Sequence, residues 1–181
     1  MNLAVLSLCI LLAAPPRKMP NPCASALPES LTAELHSRFP ASKVLTLSAL
    51  TPRDRRLFQQ KNPGKCPGVA ALDFFGDGRD AFAIILSEPV EPKPNPTFVG
   101  SHEAVLFLAR PEPNNRWSFQ LVERANSPTA VVGSLPPGEY ESVYGDAVIH
   151  AKNPVIGFGE ESWFIAFSWN GSRIEKVWLA D

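Results

Sequence analysis

The chain has 181 residues, a length typical of one domain, and its 45% hydrophobic content is enough for a buried core. Its formal net charge is -1 and it contains no block of basic residues, which argues against nucleic-acid binding through a phosphate-contacting patch. The 19 prolines favour strands and loops over long helices.

The N-terminus has the pattern of an export signal. Residues 3–14 form an apolar run that is too short to cross a bilayer as a helix, and Ala24-Ser25-Ala26 is a small-residue cleavage pattern. We therefore predict a signal peptide over residues 1–26 and a single mainly-β domain over residues 27–181. This predicts a periplasmic or secreted bacterial protein with no stable membrane span after cleavage. The alternative is a membrane-associated or disordered N-terminal tail.

The cysteines leave two arrangements open. Cleavage after Ala26 leaves Cys66 alone, whereas an earlier cleavage lets Cys23 and Cys66 form a disulfide, which an oxidising compartment permits. Because no histidine is near Cys66 in the sequence, a structural or spare thiol is favoured over a catalytic one.

Two helices are predicted near the N-terminus. The first covers Pro28 to Phe39, where leucines recur at every fourth residue and form one apolar stripe. The second has Thr51 as its cap and Pro52 at its first position, and it runs to about Lys61. Further strands are predicted over residues 43–48, 103–110, 116–124, 139–144, 146–151 and 155–159. The fold class that we expect is α+β: mainly an antiparallel β meander of seven to nine strands, with an N-terminal helix and a second short helix.

The C-terminus contains a strong hairpin signal. An alternating strand over residues 162–169 leads to Asn170-Gly171, which is typical of a type I′ turn, and a second strand returns over residues 172–179. This register pairs Phe167 with Ile174 and Trp163 with Trp178 on one face.

The stretch Val69 to Leu86 predicts a hairpin around an acidic, glycine-rich loop. Asp73 and Asp77 occupy positions one and five of a calcium-binding loop, Gly78 occupies position six, and Asp80 lies one place before position nine. The three aspartates are therefore the candidate calcium ligands, and no other cofactor is expected.

Two usual ligand positions of such a loop hold other residues. Phe75 at position three and Ala81 at position nine offer no side-chain oxygen, so the site is partial. The alternative is a glycine-rich turn whose acids are solvated.

The same hairpin carries a resemblance to a known motif. Residues 73–78, Asp-Phe-Phe-Gly-Asp-Gly, with the apolar strand that follows, resemble the FG-GAP/VCBS calcium-loop hairpin. The chain is similar to a group of small secreted bacterial proteins with a single hairpin of this kind. In those proteins a Pro-Gly-Val precedes the loop, as Pro67-Gly68-Val69 does here, and an aromatic hairpin ends the chain, as Trp169-Asn170-Gly171 and Trp178 do here. The resemblance implies a fold and a compartment rather than an activity.

No catalytic motif is visible. His36, His102 and His150 fall in no metal-ligand spacing, and neighbours such as Ser101-His102-Glu103 do not have the geometry of a triad. His150 and Asp146 would share one face of a strand, which makes a pair conceivable, but a partly exposed histidine beside a turn is the favoured interpretation. A catalytic site assembled from distant residues stays an alternative.

The functional expectation is therefore a non-enzymatic exported binding protein of the bacterial envelope, of an inhibitor or immunity kind, whose partner is another envelope or secreted protein. The candidate contact surfaces are the proline-rich segment Glu88 to Pro96 and the loop Ser134 to Tyr140. The alternatives are a hydrolase with dispersed histidines and acids, and a calcium-dependent carbohydrate- or matrix-binding module.

Overall fold

The computed structural model describes residues 21–89, 102–127 and 129–180. These residues form two helices, α1 (Glu29–Arg38) and α2 (Pro52–Lys61), and eleven strands. The strands are β1 (Lys43–Val44), β2 (Val69–Leu72), β3 (Ala81–Pro89), β4 (His102–Glu112), β5 (Arg116–Ala125), β6 (Val131–Leu135), β7 (Gly138–Glu141), β8 (Val148–Ala151), β9 (Val155–Gly159), β10 (Phe164–Trp169) and β11 (Ile174–Ala180). The predicted α+β class is confirmed, with more strands than the seven to nine expected.

Both helices start and end close to their predicted positions. In α2, the Thr51 hydroxyl accepts a hydrogen bond from the backbone N–H of Asp54, which satisfies a donor that the first turn would leave free. In α1, Leu31 and Leu35 are the buried residues of the predicted leucine stripe. Helix α1 therefore packs by one face, as the sequence pattern indicates.

The first sheet is built around β3. Strands β3, β4 and β5 form consecutive antiparallel hairpins, and β1 and β2 both pair with the other edge of β3. Strand β3 is buried on both faces, because Ala83 and Ile85 contribute to one core cluster and Ile84 and Leu86 to another. This explains why its sequence is a continuous apolar run rather than an alternation.

The second sheet has the strand order β11-β10-β9-β6, and β7 and β8 form a separate hairpin. The largest buried cluster contains side chains from both sheets, among them Leu106 of β4 and Phe158 of β9. A second cluster packs α1 on the first sheet, and a third joins β7 and β8 to the second sheet through residues such as Ile149 and Val177. The layers are therefore helix, sheet, sheet and hairpin.

The predicted register of the C-terminal hairpin is wrong. Phe167 lies opposite Lys176, and Ile165 lies opposite Trp178, so the turn is centred on Gly171 and Ser172 rather than on Asn170 and Gly171. Of the two central residues only Gly171 has a positive φ, which excludes a type I′ turn.

The side chain of Asn170 explains this shift of the turn. Its carboxamide oxygen accepts hydrogen bonds from the backbone N–H groups of Ser172 and Arg173, each at 3.0 Å, so Asn170 caps the turn from its first position. The return strand is shifted by two residues relative to the predicted register, so each of its side chains stays on the same face of the sheet. The Trp163 and Trp178 rings therefore still lie 6.3 Å apart.

Some predicted strand limits also differ from the structure. Strand β1 ends at Val44 rather than Ser48, and β8 begins at Val148, so Asp146 belongs to a turn. Strand β6 was not predicted as a strand. Of the proline-rich segment, Glu88 and Pro89 end β3, and residues 90–96 lie outside the described residues. Within the described ranges, no helix has the length and apolar character needed to cross a membrane.

Cys23 and Cys66 form a disulfide with their Cα atoms 4.8 Å apart. Cys66 is buried, and Cys23 lies in a short 3₁₀ turn, Pro22–Ser25, that is capped by Asn21. The disulfide therefore ties the segment before α1 to the turn that follows α2. Of the two cysteine arrangements left open by the sequence, the structure has the paired one.

Candidate functional site

Asp73, the first candidate calcium ligand, closes the acidic loop between β2 and β3. Its two carboxylate oxygens accept hydrogen bonds from the backbone N–H groups of Asp77 at 3.0 Å and Gly78 at 3.1 Å. Gly76 and Gly78 have φ values of 71° and 76°, a region that favours glycine. The hydrogen bonds of Asp73 and the positive φ values of the two glycines therefore explain this sequence pattern without a bound ion.

Asp77, the second candidate ligand, lies between two guanidinium groups. One of its oxygens accepts hydrogen bonds from Arg79 and from Arg110, both at 2.8 Å. The hydrogen bonds from Arg79 and then Arg110 lower the pKa of Asp77 to about 2. The pairing with Asp77 likewise raises the pKa of Arg79. Any cation at Asp77 would have to compete with both arginines.

Asp80, the third candidate ligand, is exposed at the end of the loop. Within residues 21–89, 102–127 and 129–180, no group of three or more His, Cys, Asp or Glu side chains is arranged to hold a metal ion. The structure therefore uses Asp73 and Asp77 as hydrogen-bond acceptors for the protein's own groups and leaves Asp80 in solvent.

Phe75 occupies the loop position at which a calcium site would have an oxygen ligand. The guanidinium of Arg110 lies over its ring at 4.4 Å from the centroid, and its ring meets that of Trp169 edge-on at 5.2 Å. Phe75 therefore connects the acidic loop to β4 of the first sheet and β10 of the second. Its role in the described structure is to anchor the loop.

The described histidine side chains lie apart from each other. The Nδ1 atom of His36 is 3.0 Å from the carbonyl oxygen of Thr32, within α1. His150 pairs with Glu139 at 3.1 Å across the β7–β8 hairpin, rather than with Asp146, and both members of the pair are largely exposed. The side chain of His102 lies outside the described residues, so the sequence neighbours Ser101-His102-Glu103, in which no triad was expected, lie there in part.

The β7–β8 hairpin carries an apolar group that we call the hairpin surface, defined by Val143 and Tyr144 of the turn and by Val148 at the start of β8. Their side chains are 52%, 56% and 48% exposed. The backbone beneath them is fixed, because the N–H of Val143 donates to the carbonyl of Trp178 at 2.8 Å and that of Ser142 donates to Ala147 at 2.9 Å. The hairpin surface is therefore held outward by an ordered turn.

The hairpin that carries the hairpin surface contains more acidic than basic side chains. The hairpin Gly138 to Ala151 contains Glu139, Glu141 and Asp146, all exposed, and it has no lysine or arginine. The hairpin also contains His150, which pairs with Glu139, and the exposed Lys152 follows it directly. The charged side chains of the hairpin are thus mostly acidic.

The predicted loop Ser134 to Tyr140 is mostly strand, because β6 ends at Leu135 and β7 begins at Gly138. The hydroxyl of Tyr140 donates a hydrogen bond to the carbonyl of Pro136, which closes this connection. Burial raises the pKa of Tyr140. The exposed apolar side chains lie at the other end of β7.

A pocket of about 460 Å³ lies between α2 and the turn that joins β9 to β10. Glu160, on its wall, accepts hydrogen bonds from the hydroxyls of Ser127 and Thr129, from the indole N–H of Trp163 and from Ser162. Burial would raise the pKa of Glu160, but these four donors more than offset it, so the pKa is lowered.

The sequence predicted strands over 139–144 and 146–151, but of the hairpin surface only Val148 lies in a strand. The partners of Glu160 lie up to 33 residues away, which no local pattern reveals. Two apolar residues directly before Gly145-Asp146, a turn signal, could have indicated the hairpin surface.

No family model, no curated protein and no solved structure matches this chain.

Proposed function

We propose that this chain is an exported, non-enzymatic binding protein of the bacterial envelope, which contacts another envelope or secreted protein through the hairpin surface. One observation carries the proposal. Of the four large hydrophobic side chains exposed in the described part of the chain, three belong to that single hairpin. Clustered exposed apolar side chains with a polar rim are typical of protein–protein contact sites, whereas isolated ones are common on any surface.

The disulfide supports the exported part of the proposal. Disulfides persist in oxidising compartments such as the periplasm and are rare in the cytosol. Cleavage after Ala26 would remove Cys23, so we infer that processing takes place upstream of Cys23. The intact mass of the mature protein, measured after alkylation of free thiols, tests this. A chain that begins at Leu27, or one alkylated at Cys66, would refute the inference.

The charge around the hairpin surface specifies the chemistry of the partner. Glu139, Glu141 and Asp146 favour a partner that has lysine or arginine side chains around an apolar centre. Two copies of this acidic hairpin face to face would repel each other, which argues against a symmetric dimer through this surface. An inhibitor- or immunity-like role would fit a partner of this kind.

The enzyme alternative has less support. The alternative of a hydrolase with dispersed histidines and acids would require a histidine and an acid in a cleft, but the His150–Glu139 pair is on the exposed hairpin and the pocket beside Glu160 is lined by no histidine of the described residues. The carbohydrate- or matrix-binding alternative depends on calcium at the acidic loop, where Asp77 is already paired with two arginines.

Affinity capture from envelope extract tests the proposed function. Three oxidised proteins would be compared: wild type, a Val143→Ser/Val148→Ser variant, and a Leu121→Ser control. Leu121 is also 48% exposed but lies on β5, so its replacement removes exposed apolar surface at another place. We expect one stoichiometric partner with wild type and with the control, and none with the hairpin variant. A partner retained by the hairpin variant, or no partner for folded wild type, would contradict the proposal.

A further inference from the structure

We propose that the pocket between α2 and the β9–β10 turn binds a short, unblocked apolar peptide of about three residues, with its ammonium at Asp54 and its carboxylate at Lys61. This site is separate from the hairpin surface and does not depend on it. Its volume, about 460 Å³, is within the range of small-ligand sites in proteins.

The apolar part of the site comes from one face of α2. Asp54, Leu57, Phe58 and Lys61 are spaced at i, i+3, i+4 and i+7, so they line the pocket from a single helix face. Phe58 of this face is buried in the largest core cluster, whereas Leu57 is only half-buried and leaves apolar surface to the pocket.

The opposite wall is apolar as well. Val131 at the start of β6 and Phe164 at the start of β10 both line the pocket, and each is only partly buried. An apolar ligand would bury these side chains together with Leu57 and thereby remove their apolar surface from water. The body of the ligand is therefore expected to be hydrophobic.

Two carboxylates of the pocket are already engaged within the protein. Glu160 accepts from four donors, which occupy the roughly four lone-pair positions that a carboxylate offers. Glu161 pairs with Arg53 at 3.1 Å. Neither carboxylate therefore has all of its hydrogen-bond acceptor positions free for a ligand.

Asp54 and Lys61 are the charged lining residues that remain. Neither forms an ion pair with any other residue in the described ranges; Asp54 only accepts a hydrogen bond from the Thr51 hydroxyl at 2.6 Å. They are seven positions apart in α2, which places them ~10 Å apart along the helix axis. Opposite charges at the two ends of an apolar channel fit a ligand with opposite charges at its own ends.

An extended tripeptide has this length. Three residues span at most ~10 Å, and its free termini supply an ammonium at one end and a carboxylate at the other. The apolar side chains of such a peptide would lie against Leu57, Val131 and Phe164. A single charge, as in a fatty acid or an amine, would use only one of the two unpaired groups.

Isothermal titration of the full-length oxidised protein with the peptide Ala-Leu-Ala tests this proposal. The same peptide with an acetylated N-terminus or an amidated C-terminus serves as the ligand control. We expect measurable binding of the free peptide, weakened by roughly two- to fivefold when either terminus is blocked, since each block removes one partly exposed ion pair.

Protein variants make the assignment of the ends specific. Lys61→Gln should weaken the free peptide by about the same factor but leave the affinity for the amidated peptide unchanged, because that ligand has no carboxylate to lose. Lys65→Gln, which removes a nearby exposed lysine outside the pocket, should have no effect. Absence of binding by the free peptide, equal binding of blocked and free peptides, or equal loss in both lysine variants would overturn the proposal.

Discussion

The disulfide gives the most quantitative prediction. It links residues 43 positions apart, and the loop that it closes contains both helices and β1. In the chain-entropy description, closing a loop of this length restricts the unfolded chain by an amount equivalent to about 4 kcal/mol of stability. We therefore expect the Cys23→Ser/Cys66→Ser variant to lose about 4 kcal/mol of unfolding free energy, which is a fall of roughly 8–16 °C in melting temperature.

Urea denaturation followed by circular dichroism measures this loss. Wild type would be studied with and without reductant, and the double variant serves as the control because reductant should not change its unfolding curve. Reduced wild type and the double variant should agree, since both lack the cross-link. A loss below about 1 kcal/mol in both would refute the reasoning, because the restriction of the unfolded chain would then not stabilise the fold.

Three further results are expected. Asp77, whose pKa is lowered from about 3.8 to about 2, contributes stability that is present above pH 4 and is lost as the pH falls towards 2. The difference in unfolding free energy between wild type and Asp77→Asn should therefore shrink over that interval; a difference independent of pH would contradict the pairing. Gly76→Ala should cost up to about 1 kcal/mol more than Gly78→Ala, because both have positive φ but a Cβ at residue 76 would lie 2.5 Å from the end of the Asn153 side chain, which would have to move. Equal losses in urea denaturation would show that Asn153 moves away freely. Thermal melts in excess calcium and in chelator should superimpose, because the loop's own donors occupy Asp73 and Asp77. A higher melting temperature in calcium would contradict this and support calcium binding at the acidic loop.

Local sequence signals predicted much of the fold. The capped start of α2 at Thr51 and the central hairpin formed by β2 and β3 depend on neighbouring residues, and both are found where expected. The register of β10 with β11 was wrong, because a carboxamide cap at Asn170 favours a turn centred one residue later. Strand β6 was missed, since pairing with β9 stabilises a segment whose own sequence contains a glycine.

The sites were less predictable because their contacts are distant in sequence. Asp77 could be selected as a candidate ligand from its spacing, but its second partner, Arg110, is 33 residues away. The sequence alone left open whether Cys66 is unpaired or bonded to Cys23, because only the fold shows that the two cysteines are close together. The exposure of Val143 and Val148 likewise depends on how the hairpin packs on β11.

The central claim, that the hairpin surface is the contact site of an exported binding protein, is tested most directly by hydroxyl-radical footprinting. The oxidised protein would be labelled alone and in envelope extract, and modification would be measured residue by residue. The account predicts protection of Val143 and Tyr144 in the extract, with Leu121 on β5 modified equally in both samples. Unchanged modification of the hairpin, or protection of Leu121 instead, would contradict it.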